Sequence, residues 1–81
     1  MNNARIVLKD CYCEIPEQLY FVPKEGHYLE QKLISYGDIV ILKLYDVLDV
    51  NGKRWYNGDS KLVELLLTID MENVMYIAYD E

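Results

Sequence analysis

The chain has 81 residues and a mass of 9.6 kDa, with 52% hydrophobic and 27% charged side chains and fourteen acidic groups against eight basic ones. One small β-rich domain over residues 1–81 is the expectation: the apolar content excludes a disordered chain, and a domain this small buries only about 60% of the surface its unfolded chain exposes, which disfavours a deep catalytic cavity. The net charge of −6 has the wrong sign for a face that neutralises nucleic-acid phosphates.

Arg5–Ile15 is rich in β-formers, including Ile6, Val7, Tyr12 and Ile15, and reads as a strand that Pro16 ends. Leu19, Tyr20, Phe21 and Val22 form a second apolar run, closed by Pro23-Lys24-Glu25-Gly26, where proline presets φ and glycine supplies a permissive turn position. His27–Tyr36 is ambiguous. Leu29, Leu33 and Tyr36 recur at i, i+4 and i+7, with Gly37 where a helix C′ residue would sit, so a short helix is expected there.

From Asp38 a long apolar strand runs into Asn51-Gly52, the dipeptide that suits both positive-φ positions of a type I′ hairpin. A two-residue loop would pair Val50 with Lys53, Asp49 with Arg54, Leu48 with Trp55 and Val47 with Tyr56, which matches charge with charge and apolar with aromatic. Alternation back from the turn puts Val40, Leu42, Leu44, Asp46 and Leu48 on one face, so a carboxylate interrupts an apolar row. Either a bulge near Tyr45 and Asp46 turns the acid outward, which is the favoured reading, or Asp46 lies near an open sheet edge.

After the loop Asn57-Gly58-Asp59-Ser60, the residues Val63, Leu65, Leu67 and Ile69 alternate with Leu62, Glu64, Leu66 and Thr68, a strand period. A helix from Asp59 to Asp70, capped by Asp59 or Ser60, competes with strand over residues 61–69. Asp70-Met71-Glu72-Asn73 reads as a turn into a final strand, Val74 to Tyr79. The fold class is therefore mainly β, with a β-rich α+β arrangement as the variant: a small antiparallel barrel or SH3-like meander with one short helix. Tyr12, Tyr20, Tyr28 and Tyr36 are spaced by eight, but their neighbours do not repeat.

No constellation specifies a chemistry. Cys11, Cys13 and His27 are the soft metal-ligand side chains, yet a lone Cys-x-Cys reads more simply as two small hydrophobes on a strand, where a mutual disulfide would be strained. A Cys–His nucleophilic pair lacks a recognisable orienting partner. Asp46, Asp49, Asn51 and Asp59 cluster around the central hairpin, but the glycine order is wrong for a calcium loop, and turn chemistry already explains Asn51-Gly52. Gly37, Gly52 and Gly58 fit no phosphate-binding pattern. No enzyme activity, metal or cofactor is expected. The apolar runs are too short to span a membrane and no leader is evident, so the chain reads as cytoplasmic.

The negative charge is uneven: residues 1–36 carry four basic and five acidic groups, residues 37–81 four basic and nine acidic. From Leu62 onward there is no basic side chain, while Glu64, Asp70, Glu72, Asp80 and Glu81 are present. Eight tyrosines are too many for a core this small to absorb with every hydroxyl partnered. Trp55 and the tyrosines could stack on bases or sugars, but the charge argues against bases. Tyrosine beside carboxylate favours a protein-binding surface, with Glu64, Asp70, Glu72, Tyr76, Tyr79 and Asp80 as the expected contact residues. The expected partner is a protein with a basic surface. In its concrete form the chain is a stoichiometric inhibitor or modulator of a nucleic-acid-handling protein, an analogy with small acidic proteins of mobile elements and bacteriophages. The alternatives are an assembly subunit whose strand edges pair with copies of itself, and a small-ligand or metal-binding protein.

Overall fold

A computed structural model of the chain describes residues 3–9, 16–48 and 63–80. Six strands follow in order: β1 (Asn3–Leu8), β2 (Gln18–Phe21), β3 (His27–Tyr36), β4 (Ile39–Leu48), β5 (Val63–Asp70) and β6 (Val74–Asp80), with a 3-10 turn, Met71–Asn73, between the last two. All pairings are antiparallel, and they build two three-stranded sheets, β2-β1-β6 and β3-β4-β5. The chain is mainly β, as its composition implies. The meander returns on itself, since β6 pairs with β1, but pairing lapses between β2 and β3 and again between β5 and β6. A closed barrel is therefore not formed. One lapse has a local cause in Pro23, which has no N–H to donate, and in the turn at Gly26, whose φ is 78°. The other is the 3-10 turn, which Asp70 caps by accepting from the Glu72 amide at 3.0 Å.

The core lies between the two sheets and follows from alternation. On β1, Ala4 and Ile6 point inward, level with Phe21 and Leu19 of β2 and with Tyr79 and Ile77 of β6. On β4, Leu42 and Leu44 do the same, level with Ile69 and Leu67 of β5. Ala4, Ile6, Leu42 and Leu44 make one buried cluster with Leu29 and Val74 that joins both sheets, and Phe21, Leu67, Ile69, Ile77 and Tyr79 pack against it partly buried. Each fully buried Leu or Ile there contributes about 2 to 3 kcal/mol of transfer free energy.

Several expectations need correction. His27–Tyr36 is a strand, not a helix, and it pairs residue for residue with β4 from His27↔Leu48 to Tyr36↔Ile39. Gly37 keeps the left-handed conformation expected of it, at φ 58°, but as the first residue of a two-residue hairpin loop. The only helix among the described residues is the 3-10 turn. Residues 63–70 are strand, which decides that ambiguity for the described part of 61–69. β1 spans Asn3–Leu8, and the Lys9 amide after it donates to the Asn73 carbonyl at 2.8 Å; residues 10–15 of the strand expected over Arg5–Ile15 lie outside the described residues. A register shift does fall between Leu44 and Tyr45, but the extra residue is Leu66 on β5, and Asp46 stays on the buried face. The Asn51-Gly52 hairpin, Trp55, Asp49, Asp59 and the cysteines lie outside the described residues. No helix among the described residues is long and apolar enough to cross a membrane.

Candidate functional site

Asp46 is 3% exposed, the one charged residue among the buried ones described. A carboxylate in that position is costly unless its oxygens are satisfied. The turn from Lys24 to His27 does this. It is closed by the His27 amide donating to the Lys24 carbonyl at 2.9 Å, and Gly26 supplies the positive φ. Lys24 then donates its backbone N–H to Asp46 Oδ2 at 3.0 Å, and His27 Nδ1 lies 2.6 Å from Oδ1. With Asp46 ionised its oxygens only accept, so that Nδ1 is the donor of the contact and Nε2 the second ring nitrogen. The orienting partner that sequence could not find for His27 is thus Asp46, nineteen residues away. Chemically, a carboxylate-oriented imidazole can act as a base. Structurally, the pair fastens the β2–β3 turn to β4.

Lys24 reaches on to Glu64, Nζ to Oε2 at 2.6 Å, with both side chains exposed. The hydrogen bond to Glu64 and its charge raise the Lys24 pKa above the ordinary lysine value. Exposed pairs of this kind add little stability. Its effect is on the charge map, because Glu64 is no longer an unopposed anion. Among the described residues no three His, Cys, Asp or Glu side chains are placed to hold a metal ion.

The outer face of the β3-β4-β5 sheet presents a different kind of site. Register puts Tyr36 opposite Ile39 at the hairpin end, and Ile34, Ile41 and Asp70 in the next row. Tyr36 and Ile39 are 59% and 49% exposed. Asp38 in the hairpin loop and Glu72 after Asp70 are exposed as well, so carboxylates rim an apolar centre. The following row, Lys32, Lys43 and Thr68, ends the acidic end of the face. Lys32 and Lys43 are directly opposed, and Lys32 leans over the Tyr45 ring, Nζ 5.7 Å from its centroid, a cation–π contact that offsets their repulsion.

The residues singled out from sequence are therefore dispersed. Asp70 and Glu72 lie together at this acidic rim. Glu64 sits toward the other end of β5, paired with Lys24. Tyr79 faces inward, donates its hydroxyl to Gln31 Oε1 across the two sheets, and has its pKa raised by burial. Tyr76 is exposed on the outer face of the other sheet, opposite Val7, and Asp80 follows it there, opposite Asn3. Sequence reasoning missed Ile34, Tyr36, Ile39 and Ile41. The signal was available: Gly37-Asp38 is a hairpin dipeptide in reverse order, between two runs that read as strands by alternation.

The fold class that these features define is a small, split antiparallel β-meander with an apolar, acid-rimmed outer face. Comparison of the chain with protein-family models, with curated proteins and with solved structures finds no match.

Proposed function

We propose that this chain is a small acidic protein-binding module whose contact surface is the hairpin end of the β3-β4-β5 sheet. The observation that carries this reading is the outer-face patch of Tyr36 and Ile39, backed by Ile34 and Ile41 and rimmed by Asp38, Asp70 and Glu72. An apolar centre with an aromatic residue supplies affinity, and a rim of one sign steers the encounter. The partner it suits carries an apolar site set among basic groups. A nucleic-acid-handling protein is the concrete candidate, its basic groove taking carboxylates where phosphates would otherwise sit.

The test is affinity capture from the source cell at low salt, followed by binding kinetics on the captured protein. Reversal of Asp70 and Glu72 to lysine slows association and flattens its salt dependence, while Ile39→Ser speeds dissociation. A captured partner that binds these variants as it binds the parent chain would overturn the reading, as would the absence of any specific partner.

A further inference from the structure

Like charges directly opposite each other on a sheet repel, and a fold usually separates or neutralises them. Lys32 of β3 and Lys43 of β4 stand opposed in this way on the outer face of the β3-β4-β5 sheet, with Thr68 of β5 next in the row. Lys32 and Thr68 are exposed and Lys43 is partly buried. Carboxylates flank the pair on both sides, and each is turned to another partner. Toward the hairpin, Asp70 accepts from the Glu72 amide at 3.0 Å and so caps the 3-10 turn. On the other side, Glu30 accepts from the Tyr28 hydroxyl at 3.4 Å. Among the described residues the ion pairs are Lys24–Glu64 and His27–Asp46, so neither Lys32 nor Lys43 has a carboxylate partner there. The Tyr45 ring engages Lys32 alone, Nζ 5.7 Å from its centroid.

We infer that the row Lys32, Lys43 and Thr68 seats a carboxylate of the partner protein. The inference rests on the binding surface proposed above and states what that surface selects. Two ammonium groups and a hydroxyl can all donate to one carboxylate, and its charge relieves the repulsion between the lysines. Successive rows on one face of a sheet lie about 7 Å apart. The partner therefore presents basic groups over Asp38, Asp70 and Glu72, and an acidic side chain about 7 Å further along the strands. A uniformly basic groove does not fit this face, because its cations would meet the lysines. The change of sign also orients the partner, since turning it end for end opposes like charges at both rows.

Lys43→Glu in the full chain, read by binding kinetics on the captured partner at low salt, separates this seat from steering by net charge. The substitution makes the chain more acidic, so attraction to a uniformly basic partner alone would give faster association and tighter binding. The expected result has the opposite sign. The new carboxylate lies opposite Lys32, fills the seat from within the chain and repels the partner's acid, so dissociation speeds by about tenfold or more. Lys32→Glu acts likewise. Lys9→Glu changes the net charge equally, at an exposed position after β1, and does not speed dissociation. Urea denaturation followed by circular dichroism finds Lys43→Glu at least as stable as the parent, because a like pair becomes an opposite one. Unchanged or tighter binding by Lys43→Glu overturns the inference and leaves the acidic-module reading standing, and so does equal weakening by Lys9→Glu. A Lys43→Glu chain less stable than the parent overturns it too, by showing that the lysines are neutralised within the chain. Binding indifferent to reversal of Asp70 and Glu72, or the lack of any specific partner, overturns the surface itself and this inference with it.

Discussion

Asp46 shows what a single residue can demand of its surroundings. Its place in the row Leu42, Leu44, Asp46 was visible in the alternation, and so was the need for relief, but not the relieving groups. Those come from the turn between β2 and β3, through one backbone amide 22 residues earlier and one imidazole 19 residues earlier. Long-range partners of this kind leave no mark on local pattern, and a bulge was the nearest local substitute. The consequence is measurable. Asp46→Ala strands the Nδ1 of a partly buried histidine and an amide donor, and should cost about 2 to 4 kcal/mol in a urea denaturation midpoint series. Asp46→Asn keeps one acceptor oxygen for two donors and should fall between Ala and the parent. Equal stability of all three would mean that the Lys24–His27 turn is held by something other than this carboxylate.

At the scale of elements, Gly37 carries the clearest lesson. Its left-handed conformation was read correctly from sequence and assigned to the wrong device, because a helix C′ position and a hairpin loop make the same demand on φ. Leu29, Leu33 and Tyr36 satisfy a helical period, yet Leu29 and Leu33 lie on one face of β3 and Tyr36 on the other. What decides the matter is non-local: β4, with Val40, Ile41 and Val47, offers ten consecutive cross-strand partners, and an isolated ten-residue helix has no comparable stabilisation. The strand at residues 63–70 was favoured over the competing helix by alternation and β-propensity, but the irregularity at Leu66, which puts Leu65 on the opposite face from Leu67 and Ile69, left no local mark; the Gly26 turn was legible because proline and glycine act locally. An alanine Cβ at Gly37 would meet nothing within 4 Å, so space is not limiting and only φ is strained. Gly37→Ala should therefore cost about 1 to 2 kcal/mol, and Gly37→Asn distinctly less, since Asn tolerates this region. Thermal unfolding of the two variants checks the order, and a reversed order would point away from φ as the cause.

At the scale of the whole molecule, the acidic side chains that sequence located in the second half do not, among the described residues, gather on one face. Folding carries Lys24 to Glu64, engages Asp70 as a cap, and sends Asp80 to the other sheet. Charge counted along the chain predicts the sign of the surface but not its map, because β-pairing interleaves distant segments. Hydrophobic residues obey the same rule: Leu42 and Leu44 are wholly buried in the core between the sheets, whereas Tyr36 and Ile39 are about half exposed at the hairpin end. If that exposed pair serves binding, its removal should spare the fold. Leu44→Ala opens a cavity in the shared cluster and should cost about 2 to 5 kcal/mol, whereas Tyr36→Ser and Ile39→Ser should each stay within about 1 kcal/mol of the parent. Denaturant titration of the three variants separates the two classes. Comparable losses at Ile39 and Leu44 would make the hairpin end part of the core's stabilising contacts and remove the structural ground for treating it as a surface kept apolar for a partner.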